Sequence, residues 1–270
     1  MLQRGVSIGT GLGPEPSAWH HRAVPSEATR PNFFDEPVAA RYETMSSQMF
    51  EPGVVRPAVE FLAGLAVDGD ALELGIGTGR IALPLVRKGV RVHGIDLSPA
   101  MVARLRAKPG AERIDVTIGD FATVKIDKTF SVAYLVYNTI TNLTTQNDQL
   151  ACFCNVADHL RAGGCFVVEV DVPQLQRLPP GETLRPFSVT SGHLGLDEID
   201  VATERFVSHH YTIAEGRCEV LSMPFRYVWP AELDLMARIA GMALRERWED
   251  WTREPYTADS ESHVSVWQKL

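Results

Sequence analysis

Short apolar segments alternate with helical segments through the middle of the chain, and this alternation limits the fold more than any other feature. Strands are predicted at residues 70–76, 90–95, 114–118, 130–136 and 166–171. Helices are predicted at 81–87, 98–107 and 148–160, and the last is expected to end at the turn Gly163-Gly164. Strands and helices that alternate in this way form a parallel sheet with helices on both faces.

The pattern changes between residues 173 and 227. A proline-rich loop comes first, and two stretches with alternating apolar residues, 204–213 and 218–227, then predict an antiparallel meander. After a helix at 230–241, strands at 244–248 and 263–269 are separated by a loop too short for a helical crossover. The final strand should therefore run antiparallel, and the sheet should have seven strands.

The N-terminal part of the chain shows a different composition. Residues 1–34 are rich in Gly, Pro, Ser and charge, and they are predicted to form a flexible leader. The glycines at 9–13 receive no function, because no strand precedes them and no helix follows. Helices at 36–49 and 54–66 are expected to form a lid on a single domain over 35–270, with a β-rich cap inserted at about 173–229.

Composition narrows the range of partners. With 45% hydrophobic and 22% charged residues, the chain is an ordinary globular protein, and its net charge of −8 argues against a nucleic-acid partner. Its four cysteines form no C-x-x-C pair, so free thiols and no metal site are expected. The sequence contains neither an apolar run long enough for a membrane span nor a secretory signal, and a cytoplasmic location is expected. A homodimer and a monomer are both open.

The strongest local signal is a glycine-rich loop between the first predicted strand and helix. Gly75, Gly77 and Gly79 follow Glu73, and such glycines let the backbone turn sharply and approach a ligand. Asp96 ends the next strand 21 residues after Gly75, which is the separation expected for a carboxylate that binds a ribose diol. Together these residues predict a nucleoside site.

The loop departs from the dinucleotide pattern. Position 80, where the third glycine of G-x-G-x-x-G would stand, is Arg80. The acid Glu73 at the strand end would be unfavourable beside a pyrophosphate, and it suits a ligand with a positively charged amino group.

The run E-L-G-I-G-T-G at 73–79, followed by G-I-D-L-S at 94–98, resembles the class I S-adenosylmethionine-dependent methyltransferases. The similarity extends over about 34–270 and includes G-D-F at 119–121. The chain is similar to the small-molecule enzymes of actinobacterial natural-product tailoring. It implies an α/β, Rossmann-like fold with helices on both faces and S-adenosylmethionine as cofactor. It also implies these cofactor-binding residues: Tyr42, Glu73, Gly75, Gly77, Gly79, Asp96, Leu97, Asp120, Phe121 and Tyr137.

The resemblance assigns roles to several of these residues. Glu73 would hold the methionine amino group and Asp96 the ribose diol. Leu97 would pack on the adenine, while Asp120 and Phe121 would contact its edge. A tyrosine on the N-terminal helix, here Tyr42, closes over the cofactor in similar relatives.

Candidates for the chemistry lie around the carboxyl ends of the later strands. Glu169 and Asp171 are two residues apart on a strand and so share a face, where they could accept a proton or hold a cationic amine. His209 and His210 are neighbours in the meander, so at most one faces the cleft, and histidine suits proton abstraction near neutral pH. Tyr256 lies in the loop before the last strand and is a further candidate.

The fourth strand is followed by Tyr137-Asn138-Thr139. The Asp/Asn-Pro-Pro-Tyr motif of nucleobase-amine and glutamine methyltransferases is absent from this position. This absence argues against those two substrate classes. The resemblance implies methyl transfer to nitrogen, oxygen or aromatic carbon of a small molecule, such as an indole, amine or phenol of secondary metabolism. The alternatives are an NAD(P)-dependent oxidoreductase and a non-catalytic, S-adenosylmethionine-binding regulatory protein.

Overall fold

The computed structural model describes residues 32–66, 69–214 and 216–270. The predicted leader lies outside these residues except for its last three positions, and the glycines at 9–13 lie outside them altogether. Eleven strands are formed in these segments: β1 Ala71–Leu74, β2 Val92–Asp96, β3 Asp115–Ile118, β4 Phe130–Leu135, β5 Leu160–Asp171, β6 Leu184–Val189, β7 His193–Asp200, β8 Arg205–Ala214, β9 Arg217–Arg226, β10 Met242–Trp248 and β11 Ser262–Lys269. Six α-helices accompany them: α1 Glu36–Met45, α2 Pro52–Leu65, α3 Ala82–Arg87, α4 Pro99–Arg106, α5 Gln146–His159 and α6 Pro230–Ile239.

Seven strands form the main sheet in the order β10-β11-β5-β4-β1-β2-β3. The pairs from β5 to β3 are parallel, whereas β11 runs antiparallel to both β5 and β10. The predicted seven-stranded sheet with an antiparallel last strand is confirmed. Since β1 stands near the centre, the loop that follows it opens at the carboxyl edge of the sheet, where ligands of such folds bind.

Two apolar clusters cover the two faces of this sheet. One contains α5 and α6, and its aromatic centre is Phe153, whose ring meets Phe166 at 4.9 Å and Trp267 at 5.4 Å in edge-to-face contacts. The other contains residues of α2 and α3, including the fully buried Leu62 and Leu85. Covering both faces explains why the strands of β4 and β5 are nearly continuous apolar runs.

The remaining strands form a separate antiparallel sheet, β6-β7-β8-β9, which we name the cap sheet. Its strands β8 and β9 are the predicted meander. Strands β6 and β7 lie where the sequence predicts a loop, and that part of the prediction is wrong. Pro186 is tolerated because β6 is an edge strand, where a missing backbone N–H costs little. Polar residues on both faces hide the alternation of β7.

Most helix ends lie within two residues of the prediction, and two differences affect the neighbouring structure. The predicted helix 36–49 ends as α1 at Met45, and a 3₁₀ turn follows over Ser47–Phe50. The helix predicted to continue to the glycine turn ends at His159, and β5 already begins at Leu160 and includes that turn. The predicted cap of α4 is confirmed, because Ser98 Oγ accepts a hydrogen bond from the Met101 N–H at 3.1 Å. Within the described segments, no helix has both the length and the apolar character that crossing a membrane requires.

Candidate active site

The glycine-rich loop after β1 follows a path that side chains would obstruct. Gly75, Gly77 and Gly79 have φ values of +70°, +54° and +82°, in the left-handed region that favours glycine. A Cβ on Gly75 would lie 2.7 Å from Thr139 Cγ2, and one on Gly79 would lie 2.4 Å from Leu105 Cδ1. The loop therefore fits tightly between the core below it and the β4–α5 connection above it.

We expect Gly79→Ala to destabilise the protein by about 2–4 kcal/mol, because left-handed strain adds to overpacking against Leu105. Gly89→Ala is the matched control, since Gly89 also has a positive φ of +92° but no atom lies within 4 Å of the added Cβ. The control should lose only about 1–2 kcal/mol. Urea unfolding of both variants measures the difference, and equal losses would contradict the packing argument.

Asp96 fastens this loop to the end of β2. Its Oδ2 accepts the Gly77 N–H at 2.6 Å, and its Oδ1 accepts the Ser98 N–H at 2.8 Å. Burial raises the pKa of Asp96, and these two hydrogen bonds act in the opposite direction. The carboxylate is thus held in one orientation at the edge of the loop.

Glu73 is the most deeply buried acid near the loop, with 2% of its surface exposed. Its Oε2 accepts a hydrogen bond from Tyr134 Oη at 3.0 Å, across the β1–β4 pair. Burial raises the pKa of Glu73 to about 8, against smaller opposing effects of Tyr134 and Arg80. At neutral pH the group is mostly protonated, and a cation bound beside it would favour its ionised form.

Helix α1 brings Tyr42 over this region. The Tyr42 ring packs edge-to-face on Phe34 and Phe50 at 6.2 and 6.3 Å. Burial raises the pKa of Tyr42 to about 12, so its hydroxyl stays neutral. The ion pair between Arg104 and Glu36 at 2.7 Å joins this helix to α4.

The connection after β4 forms a tight turn at Tyr137-Asn138, where both residues have left-handed φ values of 55° and 59°. Glu169 supports this turn: one carboxylate oxygen accepts the Tyr137 N–H and the other accepts Trp251 Nε1–H, each at 2.7 Å. Asp171 and Asn138 are paired reciprocally, since Asn138 Nδ2 donates to Asp171 Oδ2 at 2.9 Å and Asn138 Oδ1 accepts the Asp171 N–H at 2.7 Å.

These elements enclose a cleft. Its walls include five predicted residues: Tyr42, Glu73, Gly75, Gly77 and Tyr137. They also include five residues that the sequence did not single out as ligands: Ile76, Thr78, Arg80, Val136 and Thr139. Arg80 lies over the Tyr137 ring, 5.4 Å from its centroid, so the arginine that interrupts the dinucleotide pattern is itself part of the cleft.

Other predicted cofactor residues lie around the loop. Phe121 approaches Gly75, because a Cβ on that glycine would lie 3.9 Å from Phe121 Cε1. Asp120 Oδ1 accepts the Ala122 N–H at 2.9 Å, which fixes the turn after β3. Leu97 is half-buried beside the end of β2. A side chain at position 79 would enter the core under the loop, where Leu83 and Leu105 lie.

The histidines of β8 point to opposite faces of the cap sheet. His209 Nδ1 is 2.8 Å from Ser222 Oγ on one face. On the other face, His210 Nδ1 lies 3.2 Å from His193 Nε2. Tyr256 packs against His263 at 5.8 Å.

In the described parts of the chain no cluster of His, Cys, Asp and Glu suits a metal ion, and Cys152, Cys154, Cys165 and Cys218 are free thiols.

Comparison with known proteins identifies the family of this chain. A family profile described as a methyltransferase domain matches residues 71–164, from β1 into β5. Among solved structures, the CcbJ methyltransferase from Streptomyces caelestis is 36% identical over 80% of this chain and 89% of that chain, with a TM-score of 0.73. The chain belongs to the S-adenosylmethionine-dependent methyltransferases.

Two further relatives of this methyltransferase extend the comparison. The cypemycin N-terminal methyltransferase of a Streptomyces species is 28% identical over 253 residues, which cover 88% of this chain and 98% of that protein. CalS10, an amino pentose methyltransferase from Micromonospora echinaspora solved with bound S-adenosylmethionine, shares the fold at 20% identity and a TM-score of 0.65, over 85% and 96% of the two chains. S-adenosylmethionine is the cofactor of this methyltransferase, and the oxidoreductase alternative falls away.

The cleft suits that cofactor. A buried carboxyl with a raised pKa, Glu73, is a ready partner for the methionine ammonium. Loop glycines with no side chain leave room for close backbone approach. When bound, the cofactor supplies a methyl carbon activated by a sulfonium, so the methyltransferase has chiefly to orient the acceptor.

Proposed function

We propose that this methyltransferase transfers the methyl group of S-adenosylmethionine to an amine nitrogen of a small molecule of secondary metabolism. The carrying observation is a group of charges where β5 meets the cap sheet. Arg185 and Asp197 are cross-strand neighbours, and both lie close enough to Asp171 to influence its electrostatics. Two carboxylates around one guanidinium leave a net negative charge, which attracts a cationic amine.

The environment of both carboxyl groups favours a cationic ligand. Burial raises the pKa of Asp171 and that of Asp197, so a cation placed beside either group stabilises its ionised form. Two relatives have names that point the same way, since one methylates an N-terminus and another an amino pentose.

The cofactor roles belong to the same proposal. Glu73 binds the methionine ammonium, and Asp96 binds the ribose diol while the loop and Ser98 hold it in orientation. Glu169 is proposed as a positioning residue and not as a base, because both of its oxygens already accept N–H groups. The other proposed contacts to the cofactor come from Tyr42, Gly75, Gly77, Gly79, Leu97, Asp120, Phe121 and Tyr137.

Calorimetric titration with S-adenosylhomocysteine followed by an acceptor screen tests the function. We expect one binding site per chain, and transfer of a labelled methyl group from S-adenosylmethionine to members of a panel of amines, phenols and indoles. Preference for amines supports the proposal. Preference for phenols or indoles would overturn the choice of acceptor, and cofactor binding with no transfer to any class would favour a regulatory protein.

Asp171→Asn then tests the carboxylate cluster. We expect KM for the amine to rise at least about tenfold, since a charged hydrogen bond contributes about 1.5–3 kcal/mol. The affinity for S-adenosylhomocysteine should stay within a factor of about two. Asp158→Asn is the control, because Asp158 lies on α5 and pairs only with Lys125 at 2.7 Å among the ion pairs found. An unchanged KM in Asp171→Asn would remove the residue from the acceptor site.

A further inference from the structure

A chain of polar groups runs across one face of the cap sheet. His193 and His210 are at its centre. His193 Nδ1 lies 2.8 Å from Ser188 Oγ, and His193 Nε2 lies 3.2 Å from His210 Nδ1. His210 Nε2 lies 3.4 Å from Ser208 Oγ. Ser208 in turn hydrogen-bonds to Asp197, its cross-strand neighbour.

This face is the one turned toward the rest of the site. Asp197 belongs to the charge group around Asp171 at the end of β5. At the opposite end of the same face, Glu219 Oε2 accepts a hydrogen bond from Arg41 Nη1 at 2.7 Å, and Arg41 precedes Tyr42 on α1. The face therefore extends from the carboxyl edge of the main sheet to the lid over the cofactor.

The ring of Phe187 covers the two imidazoles. It lies 5.3 Å from the His210 ring and 6.3 Å from the His193 ring. Gly195 makes this contact feasible, because a Cβ there would lie 2.3 Å from Phe187 Cε2. The imidazole pair is thus half-buried under an aromatic ring, where a hydrogen bond between the two rings is strengthened by the low dielectric.

Counting hydrogens orients this chain. Each neutral imidazole has one N–H, and one of the two lies in the bond between the rings. Ser208 donates its hydroxyl hydrogen to ionised Asp197, so Ser208 Oγ can only accept from His210 Nε2–H. His210 Nδ1 must then accept from His193 Nε2–H. The remaining lone pair falls on His193 Nδ1, which the Ser188 hydroxyl faces.

We propose that the His193–His210 pair is the proton acceptor of the methyl-transfer site, with His193 Nδ1 as the basic atom. This inference rests on the proposed function. The bound ammonium first gives one N–H proton to His193 Nδ1 through the Ser188 hydroxyl, which gives up one hydrogen and takes another. The lone pair freed on nitrogen then forms the N–C bond, while the C–S electron pair returns to sulfur. Transfer of the Nε2 proton to His210 brings the positive charge one ring closer to Asp197.

Titratable and charged groups surround the pair. By strand register Asp197, Arg185 and Glu219 share its face of the cap sheet, and His209 lies next to His210 but on the opposite face. Burial, and then the neighbours His193 and His209, lower the pKa of His210 below its ordinary 6.5. His210 is therefore neutral at pH 7, where its Nδ1 can take the proton that His193 passes on.

The test compares His193→Gln with His209→Gln. Glutamine at 193 keeps an amide N–H for His210 but has no titrating lone pair, so kcat should fall by about 10²–10⁴-fold, the range for a general base. Affinity for S-adenosylhomocysteine should not change. His209→Gln alters an imidazole on the opposite face, and its kcat should stay within about threefold of wild type. In both variants kcat is measured with the amine that the screen shows to be the best acceptor.

Side-chain ¹⁵N NMR of the wild-type protein gives a readout that needs no turnover. At pH 7 both imidazoles should be Nε2–H tautomers, with an unprotonated His193 Nδ1. A protonated Nδ1 on His193, or a His193→Gln variant with nearly full kcat, would overturn the proposal. If the wild type methylates no amine, the proposed function fails, and the tautomers alone decide whether His193 Nδ1 is the basic atom.

Discussion

Glu73→Gln is expected to weaken S-adenosylmethionine binding by about tenfold to hundredfold, because the ammonium loses a buried charged partner worth about 1.5–3 kcal/mol. Gln retains the size of the side chain and an oxygen for Tyr134, whose hydroxyl lies 3.0 Å from Glu73. The loss should therefore reflect charge and not packing. Calorimetric titration at pH 7 measures it, and Glu60→Gln on the exposed side of α2 is the control.

The same residue should make cofactor binding release a proton. In the free protein the pKa of Glu73 is about 8, so the carboxyl is mostly protonated at pH 7. A bound ammonium favours the ionised form, and binding must therefore expel nearly one proton. Affinity for S-adenosylmethionine should rise by up to about tenfold per pH unit between pH 6 and 8. It should fall at higher pH, because the ligand's own α-amino group, with an ordinary pKa of about 7.7–8.0, loses its charge.

Titrations in buffers with different ionisation enthalpies count that proton. Wild-type protein should release close to one at pH 7, and Glu73→Gln close to none. Unchanged affinity together with unchanged proton release in Glu73→Gln would remove Glu73 from the cofactor site.

The pH dependence of folding stability gives an independent check, because stability should fall over the pH range in which cofactor affinity rises. The folded-state pKa of Glu73 is raised above its ordinary 4.5, so the folded protein holds a proton that the unfolded chain releases between about pH 4.5 and 8. Stability of the free wild type should fall as the pH rises through this window, because the unfolded state binds fewer protons than the folded state. Glu73→Gln should lack this contribution and be the more stable protein at pH 8. The site thus gives up stability for its ligand.

The geometry of the glycine-rich loop was predictable because it depends on local signals. The glycines at 75, 77 and 79 are required by left-handed backbone, and Asp96 by the end of the adjacent strand, so both appear as fixed spacings in the sequence. The parallel sheet follows from the alternation of strands and helices, and the antiparallel finish from the short loop before β11.

The surroundings of the proposed acceptor site were less predictable because they depend on pairing between distant segments. His193 lies in β7, which the sequence does not announce as a strand, so its contact with His210 could not be foreseen. Glu169 and Asp171 do share a strand end as predicted. Their different partners, however, come from the Tyr137-Asn138 turn and from Trp251, which is 82 residues away in the chain.

Arg226→Met is expected to cost about 3–5 kcal/mol of the free energy of unfolding, because it breaks a buried ionic network by removing its cation. Arg226 ends β9, and its side chain is only 4% exposed. The guanidinium donates to Gln149 on α5, to Glu232 on α6 at 2.8 Å, and to Glu204 before β8. It is therefore a polar junction between the cap sheet and two helices of the main domain.

Arg205→Met is the matched control, since Arg205 is the cross-strand partner of Arg226 but is exposed. Its guanidinium makes one hydrogen bond, from Nε to the Thr144 carbonyl at 3.0 Å, and its loss should cost no more than about 1.5 kcal/mol. Urea unfolding with an unchanged m-value measures both. Similar losses in the two variants would show that the buried network contributes no more than a surface contact.

A triple variant, Arg226→Met with Glu204→Gln and Glu232→Gln, separates the two possible origins of the loss. If the cost comes from carboxylates left without a cation, neutralising both should recover much of the stability, because uncharged groups are cheaper to bury. If the cost comes from losing the hydrogen bonds that Arg226 makes to the two helices, stability should stay low. In either case the cap sheet carries His193 and His210, so folded Arg226→Met should bind S-adenosylhomocysteine normally and lose turnover.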